Sequence, residues 1–113
     1  MREIKEGEFC RINGEIAKVI GKDDDNNILL DTQKIVTKQE IKKVKHSFNI
    51  INLIEIGDIV NGMKVNDISK IQRFNKPIQK CLWANINDGY DIINEEIKTI
   101  LTKEQMEANQ YVV

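Results

Sequence analysis

The sequence predicts a mostly-β α+β protein. It reads as two imperfect, β-hairpin-rich and barrel-like repeats, each closing with a short helix, around one shared core. Three observations predict this. The composition is 41% hydrophobic and 31% charged but only 5% aromatic, so the core must be largely Ile, Val and Leu, and β-branched residues favour strands. An Asn-Gly pair occurs twice, at Asn13-Gly14 and Asn61-Gly62, each between apolar segments. One phrase is almost repeated, as "IVTKQEI" (35–41) and "ILTKEQM" (100–106).

The landmarks recur in the same order. "EGEFCRINGEIAKVIG" (6–21) lines up with "IGDIVNGMKVNDIS" (56–69), so Gly7 matches Gly57, Glu8 matches Asp58, and the Asn-Gly pairs coincide. Asn-Gly tolerates positive φ at both central positions, which suits a two-residue type I′ hairpin. "FCRI" and "EIAKVI" are then the paired strands of the first copy, and "DIV" and "MKVNDI" those of the second. "NNILLDT" and "KIV" form another short hairpin.

Thr37 and Thr102 open capping boxes, in which the threonine hydroxyl accepts a bond from the third helical amide and a Glu or Gln reaches back. The spacing predicts helices over Lys38–Lys45 and Lys103–Asn109. Both are too short to stand without packing on the strands. The repeated phrase is therefore a strand-to-helix corner. Between the copies, "HSFNIINLIEI" (46–56) is too apolar for an exposed linker, and Ser47 is placed to cap one turn. The expected organisation is a first repeat over 1–46, a buried connector over 47–56 and a second repeat over 57–113. Two separate halves of this size would each be marginal.

From Asn13 to Thr37 the chain advances 24 positions, and from Asn61 to Thr102 it advances 41. The additional 17 fall around 69–91. A segment that one copy lacks is not needed for the fold, and long extra loops tend to carry function. This one holds Lys70, Arg73, Lys76 and Lys80, with no acid between Asp67 and Asp88, beside Phe74, Pro77 and the single tryptophan, Trp83. Cations beside aromatics can grip a phosphate backbone and stack bases, or can anchor a protein interface. The structural alternative is a solvated hairpin, with "KCLWANI" as a strand that puts Cys81 and Trp83 on one face and Leu82 and Ala84 on the other. The candidate partner-binding residues are Lys70, Arg73, Phe74, Lys76 and Lys80, with Trp83 supporting the hairpin.

Other candidates carry less. Asp23, Asp24 and Asp25 lack the alternating ligands and closing acid of a calcium loop, so they read as a hairpin tip. His46, the single histidine, follows "KKVK" and reads as a cation at a helix C-terminus. No phosphate-binding, zinc-protease or nucleophile-elbow motif is present. No catalytic residue, metal ligand or cofactor site is nominated, and the expectation is a non-enzymatic protein. A net charge of −1 supplies no global field for nucleic acid or an anionic membrane. The uncharged stretch Ser47–Ile54 is too short to span a bilayer, and the first residues lack a signal-peptide core. Cys10 and Cys81 have no CxxC spacing and read as two buried thiols of a cytoplasmic protein.

At "KHSFNIINLIEIGDIVNGMKV" and "EEIKTILTKEQMEAN" the chain resembles a group of small phage and prophage proteins of Firmicutes. Their shared phrases are of the form KHSxNIIxLIExGDxVNG and IKxIxTKEQ. The resemblance covers about a third of the chain, Lys45–Val65 and Glu96–Glu107, and leaves 66–95 uncovered. It carries no catalytic residue. It implies a phage accessory protein acting inside a bacterium. By analogy the expected function is inhibition of a bacterial defence system, anti-CRISPR-like, by stoichiometric binding of an effector such as a CRISPR nuclease complex. The alternatives are a nucleic-acid-binding accessory protein and a sponge for a nucleotide immune signal, the latter with a pocket lined by Lys or Arg and an aromatic.

Overall fold

The computed structural model describes residues 3–72, 75–84 and 90–113. Among these, the strands form two antiparallel sheets and the protein is mostly β. The chain divides into two compact units, one ending at Leu53 and one beginning at Ile54. The first contains β1 (Phe9–Ile12), β2 (Glu15–Lys22), β3 (Ile28–Leu30), β4 (Ile35–Val36), helix α1 (Lys38–Ile41), β5 (Lys45–Ser47) and a 3-10 turn over Ile50–Leu53. The second contains β6 (Ile59–Val60), β7 (Met63–Ile71), β8 (Gln79–Ala84), β9 (Tyr90–Ile93), a 3-10 turn over Asn94–Glu96, β10 (Thr99–Leu101), a 3-10 turn over Glu107–Asn109, and β11 (Tyr111–Val112).

The first sheet has the order β4-β3-β2-β1-β5 and the second β11-β10-β6-β7-β8-β9. Neither closes into a barrel, which corrects the barrel-like expectation. In each, consecutive strands pair as a meander, and a later strand returns to the free side of the first. β5 pairs with β1 through Cys10↔His46, and β10 pairs with β6 through Val60↔Ile100.

The Asn-Gly turns form as the residue types demand. Ile12 pairs with Glu15 and Val60 with Met63, leaving two-residue loops. φ is 51° and 77° at Asn13 and Gly14, and 53° and 81° at Asn61 and Gly62. Positive φ at both central positions is the type I′ geometry, whose twist matches that of the strands. Each following strand carries a register shift, between Val19 and Gly21 in β2 and between Val65 and Asp67 in β7.

The Gly-acid pairs build one bonding pattern in both units. Gly7 (φ 91°) donates its amide to the Val19 carbonyl at 2.9 Å, and Gly57 (φ 102°) donates to the Val65 carbonyl at 2.9 Å. Val19 and Val65 donate in return to the carbonyls of Glu8 and Asp58, both at 2.8 Å. The two acids are fully buried. Each holds the turn before it: Lys5 N donates to Glu8 Oε2 at 2.6 Å, and Glu55 N donates to Asp58 Oδ2 at 2.8 Å. A buried carboxylate is tolerated only with such partners.

The first unit's core gathers Ile4, Cys10, Ala17, Val19, Ile28, Leu30, Val36 and Val44. In the second unit Val60, Val65, Leu82, Ile92 and Ile100 are almost wholly inaccessible. Burying each such side chain is worth roughly 1.5–3 kcal/mol. The stretch 47–56 spans the boundary between the two units. Ser47 ends β5 and its Oγ accepts from Asn49 N at 3.1 Å and Asn52 Nδ2 at 2.9 Å. Ile50, Ile51 and Leu53 are buried, Ile54 opens the second unit, and Ile56 is exposed.

The helices are shorter than the sequence predicts. α1 is a single turn, and only a 3-10 turn over Glu107–Asn109 forms within 103–109. The two TK phrases also occupy different places in the strand order. Thr37 lies between β4 and β5, whereas Thr102 follows β10. A comparable turn begins at Ile93, the last residue of β9, whose amide donates to Glu96 Oε1 at 2.9 Å. Thr37 N does the same to Glu40 Oε1 at 3.1 Å. The Thr37 hydroxyl also donates to that carboxylate, at 3.0 Å. The local resemblance of the phrases reflects a shared turn chemistry: Glu40 N and Gln105 N each donate to the carbonyl of the threonine three residues before.

Candidate functional site

The difference between the two sheets is the length of one hairpin arm. Val19 pairs with Leu30, 11 positions on, while Val65 pairs with Ala84, 19 positions on. β2 and β3 end their register at Lys22↔Ile28. β7 and β8 continue past the corresponding pair, Ile68↔Leu82, through Ser69↔Cys81, Lys70↔Lys80 and Ile71↔Gln79. From Asn61 to the end of β9 at Ile93 the second unit takes 32 positions, against 24 from Asn13 to Thr37 in the first.

Register sorts the candidate residues onto two faces, because directly opposed residues point the same way and neighbours along a strand point oppositely. Ile68, Lys70, Lys80 and Leu82 share one face. Asp67, Ser69, Cys81 and Trp83 share the other, joined by Asp91 opposite Trp83. The sequence grouped Trp83 with the lysines; the sheet separates them. Trp83 is half-buried, and its indole Nε1 donates to Ser69 Oγ across the arm at 2.6 Å. That bond ties β8 to β7. Trp83 stands in a row between Asp67 and Asp91, so the two faces differ in charge as well as in composition.

Lys70 is exposed and Lys80 half-buried. Like charges directly opposite each other destabilise a sheet pair, and neither side chain has an ion-pair partner among the described residues. Lys76 is exposed beyond the strand ends. Ile78, two residues before Lys80, is 65% exposed. Sequence reasoning passed over Ile78; its signal is the alternation Ile78, Lys80, Leu82. Arg73 and Phe74 lie outside the described residues.

His46 is not a helix cation. It sits on β5 opposite Cys10, and its Nδ1 lies 3.1 and 3.2 Å from the two oxygens of the buried Glu8. The ring therefore donates from Nδ1 to the carboxylate. Arg11 is buried beside it in sequence and donates from Nη1 to the Leu53 carbonyl at 3.0 Å. These are bonds that close the first unit. Asp23 forms a hairpin tip, accepting from Asp25 N and Asn27 N, both at 2.9 Å. The Asn27 amides hold its carboxyl below the usual range. Cys10 and Cys81 are free and buried, and burial, with Asp31 and Glu8 nearby, pushes the Cys10 thiol up to about 11.

A groove of about 340 Å³ in the first unit is lined by Glu3, Asn26, Lys22 and Lys38 among others, without an aromatic side chain. Lys22 is already engaged there by Glu3 at 2.5 Å. Among the described residues no group of three or more His, Cys, Asp or Glu is placed to hold a metal, and no helix is long and apolar enough to cross a membrane. Compared with protein families, curated proteins and solved structures, the chain matches none.

Proposed function

We propose that this protein is a non-enzymatic binding protein that acts stoichiometrically on a protein partner, an effector of bacterial defence, through the arm formed by β7 and β8. The observation that carries the reading is the directly opposed Lys70–Lys80 pair, without an ion-pair partner among the described residues, on the stretch of arm that β2 and β3 do without. A fold has no use for opposed like charges. A partner surface does. The reading includes an internal duplication, in which β6–β10 repeat β1–β5 and the arm is the addition to a scaffold already sufficient without it.

A protein is favoured over nucleic acid by the sorting of side chains. Base stacking needs an aromatic beside the cations, and among the described residues of the arm the aromatic, Trp83, lies on the opposite face, bonded to Ser69. A nucleotide sponge would need a cationic pocket with an aromatic wall, which the groove at Lys22 and Lys38 lacks.

The test separates fold from function with one substitution. Lys70→Glu turns a repulsive cross-strand pair into an attractive one, worth about 0.2–1 kcal/mol. Its thermal midpoint should rise slightly, while capture of the partner from nuclease-treated host lysate should fall at least about tenfold. A variant that binds normally would remove the arm from the interface.

A further inference from the structure

The lysine face of the arm is a mixed surface, and that specifies what it can recognise. Lys70 and Lys80 are directly opposed. Cross-strand neighbours hold their Cβ atoms about 5 Å apart, so two flexible ammonium groups can converge on adjacent carboxylates. Ile78, one position before β8, is 65% exposed toward the tip, and on the other side of the lysines Ile68 is half-buried over the wholly buried Leu82. No acid shares this face among the described residues; Asp67 and Asp91 are on the reverse.

We infer that the lysine face of the β7–β8 arm reads an acidic–apolar protein element, two neighbouring carboxylates beside an apolar depression that receives Ile78. This rests on the reading of the arm as the contact surface and names the chemistry of its partner. Two lysines alone would bind any polyanion weakly and with a shallow salt dependence. Ile78 supplies the discrimination: removing one isoleucine side chain from water is worth about tenfold or more in affinity. A phosphodiester strand offers no place for it. The aspartates around Trp83 repel the same acidic partner from the reverse face, so the arm docks one way round.

The experiment is a titration of the full, isotope-labelled chain, followed by NMR, with three probes. These are a peptide carrying paired glutamates next to leucine and phenylalanine, poly-glutamate, and a short oligothymidylate. The expected result is that the mixed peptide perturbs Ile68, Lys70, Ile78 and Lys80, and binds about tenfold more tightly than poly-glutamate. Ile78→Ser should remove that advantage and leave poly-glutamate binding unchanged. Tighter binding of oligothymidylate overturns the inference, as does equal affinity for the two acidic probes. Perturbation centred on Asp67, Trp83 and Asp91 overturns it while leaving the arm as the contact surface. No perturbation anywhere in the arm, at millimolar peptide, overturns both.

Discussion

At the scale of single residues, the two buried acids bear most of the local order. Asp58 accepts from Glu55 N and, through Oδ1, from Lys103 N at 2.9 Å. Truncating it leaves two amides without partners, each costing about 1–3 kcal/mol. Asp58→Ala should therefore lower stability by about 3 kcal/mol in urea titrations, with Asp58→Asn costing less because it keeps one oxygen acceptor. If both cost under about 0.5 kcal/mol, water replaces the carboxylate and the anchor is incidental. The sequence showed that Glu8 and Asp58 correspond, but not that they are buried, because an acid after glycine looks like surface. His46 was opaque for a related reason. Its partner Glu8 is 38 positions away, and a three-residue strand such as Lys45–Ser47 is too short to show a period.

The Asn-Gly turns invite a comparison that needs no second protein. The backbone angles of the two pairs agree within a few degrees, but their side chains differ. Asn61 donates to the Glu96 carbonyl at 2.8 Å and accepts from Lys98 N at 2.7 Å and Thr99 N at 3.1 Å. Asn13 is exposed. Succinimide formation requires the asparagine amide carbon to swing onto the next backbone nitrogen and expel ammonia. At mildly alkaline pH, deamidation should thus accumulate at Asn13 well before Asn61, read by peptide mass mapping. Equal rates would mean that the backbone alone governs the reaction and that the Asn61 bonds add no restraint.

At the scale of elements, turn chemistry was legible and element length was not. The strands of both Asn-Gly hairpins lie where alternation and turn type place them. The helices shrink because a capping box needs only one turn to be satisfied, and nothing in "TKQE" says how far the helix continues. The box also titrates. The Thr37 amide and hydroxyl, with Lys43 nearby, hold the Glu40 carboxyl below its ordinary range. A depressed folded-state value means the bond contributes at neutral pH and is lost as the pH falls through that value. Glu40→Gln cannot titrate, so thermal midpoints measured down an acid series should fall less for it than for the natural chain. An identical acid limb would assign the pH dependence to other carboxylates.

At the scale of the whole molecule, the repeated phrase falls at different places in the two strand orders. A capping phrase follows any strand that turns a corner, so it carries no information about which strand precedes it. Strand order does, and it is set by pairings such as Cys10↔His46 and Val60↔Ile100 that no local pattern encodes. With the units aligned by strand order, the tip 23–27 between Lys22 and Ile28 corresponds to 69–81 between Ile68 and Leu82. If the arm is an addition to a self-sufficient scaffold, replacing 69–81 with "DDDNN" should give a chain that still folds. The graft brings its own tip bonds, which Asp23 accepts from the amides of Asp25 and Asn27. It forfeits the ladder at Ser69↔Cys81, the buried Cys81 and the Trp83–Ser69 bond, a loss of a few kcal/mol at most. The shortened chain should melt cooperatively at a lower temperature, keep the dispersed amide spectrum of the β6–β10 sheet, and show no binding in the assay that Lys70→Glu impairs. Collapse of the second unit would show that the arm is part of its core, and the case for a duplicated scaffold with a grafted binding arm would fall with it.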